Sequence, residues 1–360
     1  MRRLVLLFAL LISASGAQAA NPAEERIGIL LCLSGECAQW GQHSRNGAIM
    51  AIEEVNAHGG IRGRKLVARV EDSRETTPSE SITAFRALVS DPGIRMIIGP
   101  SWTQAGMALA PLAAQENLIL VTPSMTVSDF SKTASNIFNT MPPEDLMTKA
   151  LAAFAVGRGW RRIAVFASQH PAELVQGQLF ASRLKELGGE VVYFADSLPD
   201  APDVRIEALK VQESKPDAVY ISVWWGNAPK ALRAAGYRGP LLTRQLDRQR
   251  LESAAGALNG AYFPRYPKAS VEFETRYRQR FNEDPALYAA TSYDAVKLYA
   301  RIGEELPDNN ARALSTAFAA IEFEGASGLI RFGPDRTILN RSVEISQVAG
   351  ESLDGPALSW

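Results

Sequence analysis

The chain has 360 residues, 46% of them hydrophobic and 21% charged, with a formal net charge of −1 at pH 7. That balance describes a globular chain and excludes a disordered one, and the length exceeds one comfortable hydrophobic core and fits two domains of ordinary size. Without a long basic run, nothing favours nucleic acid or an anionic membrane as partner.

Met1-Arg2-Arg3 is a short basic start, residues 4–12 are apolar, and Ala17-Gln18-Ala19 places small residues where a signal peptidase reads. Residues 1–19 are therefore expected to be a secretory signal, with the mature chain working outside the cytoplasm. No cysteine stands at the expected cleavage site, so no lipid anchor is expected. Beyond the signal no apolar stretch approaches the ~20 residues of a spanning helix.

Residues 27–32 read as a strand. A helix follows over 46–55, with Ile49, Ile52 and Val55 on one face, and Asn56-Ala57-His58-Gly59-Gly60 stops it. Strands at 66–70, 96–98 and 118–121 alternate with helices marked by Ile82, Phe85, Leu88 and Val89 and by residues 103–115. The pattern restarts after Pro142-Pro143, with helices at 145–156 and 174–187. Strands at 163–166, 191–193, 218–223 and 241–243 belong to this second unit. Helices at 271–281, 289–305 and 311–321 come next, and short strands at 329–332 and 343–348 close the chain. Such alternation predicts an α/β fold of right-handed βαβ units, with parallel sheets covered on both faces.

Two cysteines are present, Cys32 at the end of the first strand and Cys37 in the loop after it. Export permits a bridge between them, but spacing alone leaves a bridge and two free thiols equally open. Structural zinc needs about four clustered ligands, so no metal is expected, and no cofactor is implied.

In an open parallel sheet, ligands bind beyond the carboxyl ends of the strands. The loops there are 34–41, 99–104 and 122–126. The last two combine a turn, hydroxyl side chains and an expected helix start, where free N–H groups and the helix dipole suit a carboxylate. Thr103, Ser124 and Thr126 would equally serve as helix caps. Trp40, Trp102, Trp224 and Trp225 also fall after strands, where rigid rings stack on a ligand or pack beneath a loop. Catalysis finds little support. His43, His58 and His170 are the three histidines, and neither HExxH nor GxSxG occurs. His58-Gly59-Gly60-Ile61-Arg62-Gly63 reads as turn chemistry.

Leu33-Ser34-Gly35, Trp40-Gly41, Asn46-Gly47 and the run from Ala51 through Asn56 to Gly59-Gly60-Ile61-Arg62-Gly63 resemble the type I periplasmic binding proteins of the leucine-binding family. Ile97-Ile98-Gly99-Pro100, Thr122-Pro123-Ser124, Tyr293-Asp294-Ala295 and Gly325-Ala326-Ser327-Gly328 extend the resemblance across the mature chain. The resemblance implies two doubly wound parallel-sheet lobes joined by three hinge crossings, near 139–142, 262–267 and 325–328. Lobe 1 is expected to hold 24–140 plus 267–326, and lobe 2 to hold 141–266 plus 327–360.

It further implies a monomer in the periplasm that closes on a small-molecule ligand and delivers it to an inner-membrane ABC permease. A sensor of the same fold feeding a membrane receptor is the alternative. By resemblance, Trp40 walls the pocket. Thr103, or its neighbour Ser101 if the alignment slips, holds the ligand carboxylate, and Ser124 and Thr126 complete that side. On the second lobe stand His170, Trp224 or Trp225, and the segment Arg244-Gln245-Leu246-Asp247. Asp247 there would pair with an amino acid's ammonium. Gln245 there would leave the ammonium unpaired and suit an aromatic or aliphatic carboxylate or an amide. The disulfide positions of some relatives correspond to Arg74 and Trp102, so that bridge is absent.

Overall fold

The computed structural model describes residues 24–35, 37–127, 129–198, 201–223, 226–306, 310–339 and 342–358. The expected signal segment and the Trp224-Trp225 pair lie outside these residues. Among them no helix is long and apolar enough to cross a membrane.

The first part runs β1 (Glu25–Leu31), α1 (Ala38–Ala57), β2 (Leu66–Asp72), α2 (Pro78–Val89), β3 (Ile94–Ile98), α3 (Thr103–Ala113), β4 (Ile119–Thr122), α4 (Asp129–Lys132) and β5 (Ile137–Asn139). The second runs α5 (Glu144–Gly157), β6 (Arg162–Ser168), α6 (Pro171–Glu186), β7 (Glu190–Ser197), α7 (Arg205–Glu213), β8 (Ala218–Ser222), α8 (Asn227–Ala234), β9 (Leu241–Thr243), α9 (Arg248–Ser253) and β10 (Tyr262–Arg265). Then come α10 (Val271–Phe281), α11 (Leu287–Glu305), α12 (Ala311–Ala320), β11 (Glu322–Gly325), β12 (Gly328–Arg331) and β13 (Glu344–Gln347).

One sheet has the order β2-β1-β3-β4-β5, and its pairings are all parallel. The other has the order β13-β10-β9-β8-β6-β7 and is parallel except for the antiparallel β10–β13 edge. Apart from β13, the second sheet repeats the strand order of the first, so the halves share topology as well as rhythm. Because strand side chains alternate, each sheet feeds two cores. Ile27, Ile29 and Leu31 enter the core under α1 and α11, while Leu30 enters the one under α2 and α3. Ala164 and Phe166 point one way from β6, and Ile163, Val165 and Ala167 the other.

α1 and α11 pack without a gap: a Cβ on Gly47 would fall 2.0 Å from the Ala289 carbonyl oxygen. α1 begins at Ala38, earlier than the apolar periodicity alone indicates.

The third connection differs from expectation. Residues 325–328 form the turn of the β11–β12 hairpin. Asp294, fully buried, ties that turn down by accepting from the N–H groups of Ala326 (2.6 Å) and Ser327 (2.8 Å). Beyond the hairpin the chain stays with the first sheet: Ile330, Phe332 and Ile338 lie in its core, and Thr337 bridges to Asn139. It passes to the second sheet only between Leu339 and Glu344. The glycine-rich signature at 325–328 thus reflects a tight turn and not a crossing. Met141, Met147 and Tyr266 are buried together with Val343 packed against them, so all three connections meet in one small apolar cluster.

Candidate functional site

Both sheets reverse strand order at one place, between β1 and β3 in the first and between β6 and β8 in the second, and in open parallel sheets ligands bind beyond the carboxyl ends at such a point. On the first sheet the β1–α1 connection is closed by a Cys32–Cys37 disulfide, which decides the question the spacing left open. A Cβ on Gly41 would fall 1.8 Å from the Cys32 carbonyl oxygen, so α1 begins hard against the strand end. Trp40 consequently sits in the first helical turn and not in a loop. Its ring centroid lies 5.5 Å from that of Trp102 and 6.2 Å from that of Tyr288. Three half-buried rings from three elements thus form one aromatic wall.

The loop after β3 approaches β1 as closely as backbone can. Gly99 has φ of +130°, and a Cβ there would lie 1.8 Å from the Leu30 carbonyl oxygen. The next residues are fixed by an internal carboxylate. Glu75 is buried and accepts from the N–H of Ser101 (2.8 Å), the N–H of Trp102 (2.5 Å) and the hydroxyl of Ser73 (2.8 Å). Burial raises its pKa, against the opposing pull of these donors. Ser101 is buried, and its hydroxyl accepts from the Cys32 N–H.

Thr103 then opens α3. Trp102 at the cap position supplies no side-chain acceptor, so no cap side chain meets the N–H groups of the first turn. The expected helix start after Thr122 is not formed, because the loop is bonded elsewhere. The Ser124 hydroxyl donates to the Ser101 carbonyl at 3.0 Å. Thr126 bonds the Glu144 carboxylate through its side chain and accepts from the Glu144 N–H at 3.1 Å. The next helix, α4, is a single turn from Asp129.

On the second sheet, His170 is exposed at the cap of α6, and its N–H donates to the Ser168 hydroxyl at 3.2 Å. Asp247 is the N-cap of α9: its carboxylate accepts from the Arg250 N–H at 2.8 Å and lies 3.9 Å from the Arg250 guanidinium. Gln245 is half-buried, and its carbonyl accepts from Arg250 Nη1. Beside them is a pair the sequence analysis did not assemble. Arg244 and Glu144, both buried, make a bidentate bridge at 2.6 and 2.8 Å.

Burial alone would raise the Glu144 carboxyl, but the Arg244 charge and hydrogen bonds hold it below the ordinary carboxylate value. Burial and the neighbouring Arg244 charge push Arg250 down to about 10. On α11 the Tyr288 phenol is raised, first by desolvation and then by the Asp247 charge.

The structure therefore places Trp40, Ser101, Trp102, Thr103, Ser124 and Thr126 just beyond the carboxyl ends of β1, β3 and β4 of the first sheet, and His170, Gln245 and Asp247 just beyond those of β6 and β9 of the second. Tyr288, Glu75 and Glu144 were missed. Tyr288 and Glu144 lie within helices whose periodicity marks packing only, and Glu75 follows a strand without any motif.

Comparison with known proteins agrees with this architecture. A sequence model of the periplasmic binding protein family matches residues 24–352. A Leu/Ile/Val-binding protein of Rhizobium johnstonii is 27% identical over 227 residues, covering 62% of this chain and 58% of its own length. This chain thus spans less than two thirds of that curated relative. Among solved structures, the branched-chain amino acid transporter substrate-binding protein of Streptococcus pneumoniae in complex with isoleucine superposes with a TM-score of 0.81. The two share 21% identity, with 92% of this chain and 98% of that one covered. A solute-binding protein of an ABC transporter from Rhodopseudomonas palustris, in complex with 3,4-dihydroxybenzoic acid, gives a TM-score of 0.77. It is 22% identical, over 92% of this chain and 94% of that one.

Proposed function

Since the chain belongs to the periplasmic binding protein family, we propose that it is the solute-binding component of an ABC importer, working in the periplasm and carrying out no turnover. Its ligand is a small carboxylate, a branched-chain or related amino acid or an aromatic acid or its amide, captured by closure of two lobes. The observation that carries this reading is the wall of Trp40, Trp102 and Tyr288 beside the uncapped start of α3. An apolar body stacks on the rings while the first-turn N–H groups and Thr103 receive the carboxylate. Ser101, Ser124 and Thr126 fix the geometry of that wall through their own hydrogen bonds, and lobe 2 closes over the ligand with His170 and the segment from Arg244 to Asp247. Bound ligands of the two structural relatives span the same range, isoleucine in one and a benzoic acid in the other.

A thermal-shift screen of refolded, ligand-free protein tests capture. The panel covers aliphatic amino acids, aromatic acids, short dicarboxylates and amides. A ligand at about 100 times its dissociation constant stabilises by about 2.7 kcal/mol, which is readily measured. Stabilisation by one panel class, loss of uptake of that compound on gene deletion, and no hydrolysis of amide or ester analogues are the expected results. A flat panel would remove the carboxylate reading, and uptake unaffected by deletion would remove the importer role.

A further inference from the structure

Arg244 directly follows β9, at the carboxyl edge of the second sheet where the crevice opens. Its Nε and Nη2 are engaged by Glu144 at 2.6 and 2.8 Å. Its remaining nitrogen, Nη1, is buried and has no hydrogen-bond partner among the described residues. A buried donor with no acceptor carries its full desolvation penalty, and buried polar groups in folded proteins are met by protein, water or ligand.

The charges around Arg244 restrict what that acceptor is. Of the nearby carboxylates, Glu144 is bound to Arg244 itself. Asp247 caps α9 and sits beside Arg250. Glu173 is bonded to the Ser168 hydroxyl. His170 is exposed, and the Tyr288 phenol, with its raised pKa, stays neutral at pH 7. An ammonium group entering here would face two guanidinium groups, with Glu144, Asp247 and Glu173 already engaged. Burying a cation without a counter-charge is strongly unfavourable.

We infer that the ligand carries no ammonium: it is a carboxylate with a second oxygen acceptor (keto, hydroxyl or carboxylate), and that oxygen receives the Arg244 Nη1 hydrogen. This rests on the carboxylate-capture reading above and narrows it. Arg244 is then the specificity determinant of the second lobe, and an amino acid and its deaminated analogue are separated there.

Titration calorimetry with matched pairs tests the inference on wild-type protein, refolded free of ligand. The pairs are leucine against 4-methyl-2-oxopentanoate, phenylalanine against phenylpyruvate, and benzoate against 3,4-dihydroxybenzoate. In at least one pair the acceptor-bearing member is expected to bind about 100-fold more tightly, as a site built around a buried hydrogen bond discriminates. Amino acids that bind as tightly as their oxo analogues, or more tightly, would overturn the inference and leave carboxylate capture standing. No binding by any of the six compounds would overturn both. The variant Arg244→Lys keeps a cation against Glu144 and removes Nη1. It should weaken the acceptor-bearing ligand at least tenfold while sparing its partner in the pair, and unchanged affinity would sink the role of Arg244. Should that variant not fold, the wild-type pairs decide alone.

Discussion

Glu75 supplies from within the chain what a ligand carboxylate would otherwise supply to the Ser101 and Trp102 N–H groups. Its backbone is held at φ of +54°, in the left-handed region, so the chain accepts local strain to aim this carboxylate. Glu75→Gln keeps one oxygen acceptor and turns an amide N–H₂ toward the other donor. A stranded buried N–H costs about 1–3 kcal/mol. We expect a stability loss of that size by chemical denaturation, and weaker ligand binding because Trp102 is displaced. Unchanged stability and affinity would remove this role. The penalty also depends on pH. Because the folded pKa of Glu75 is raised above its ordinary 4.5, the folded state holds the proton more firmly than the unfolded state. That contribution is complete below pH 4.5 and fades as pH rises through the folded value. Glu75→Gln has no such proton, so its penalty should be largest at the acid end and shrink as pH rises. A penalty that grows with pH would mean burial does not dominate at this residue.

At the scale of elements, the β1–α1 connection carries both the disulfide and Trp40, the aromatic proposed to wall the crevice. Cys32 and Cys37 are five residues apart and almost fully buried, and Trp40 follows three residues later. Closing so short a loop stabilises by about 2 kcal/mol on the chain-entropy account. Cys32→Ala with Cys37→Ala should lose about that much, and ligand affinity should fall because the start of α1 is no longer pinned under Trp40. Equal stability of oxidised wild type and double variant, with equal affinity, would leave the bridge without either role. The same connection shows what sequence pattern carries and what it does not. β9 and α10 match their expected limits, β9 because a short apolar run ends at Arg244, and α10 because Phe273, Tyr277 and Phe281 recur at helical spacing between the Ser270 cap and a left-handed Asn282. The start of α1 was not legible: Gln39, Gln42, Ser44 and Arg45 break the apolar periodicity, and the helix is set by contact with Cys32 and with α11. The third crossing was misplaced because Gly325-Ala326-Ser327-Gly328 serves a hairpin anchored by Asp294. Trp40, Trp102 and Thr103 were legible as post-strand residues. The Arg244–Glu144 pair was not, since it joins positions 100 residues apart.

For the whole molecule, two sheets of matching strand order and one apolar cluster where the connections meet make a hinge the expected mode of motion. Tyr266 ties two of the connections together by donating its hydroxyl to the Pro143 carbonyl at 2.7 Å. Thr126 of the first lobe meets Glu144 just past the hinge, so a ligand touching the 122–126 loop acts on a residue already bonded to Arg244. A useful switch must move a mostly open population to a mostly closed one. Going from 1:99 to 99:1 needs about 5.5 kcal/mol of differential ligand affinity for the closed form. Small-angle scattering of ligand-free and saturated protein should therefore show the radius of gyration fall on binding, with Trp40 and Trp102 fluorescence shifting at the same ligand concentration. Tyr266→Phe removes one hinge hydrogen bond, worth about 1 kcal/mol, from whichever state makes it more strongly. It should alter ligand affinity without touching the crevice wall. If the radius stays constant at saturation while the fluorescence still titrates, the ligand binds one lobe without closure, and the hinge has no part in its capture.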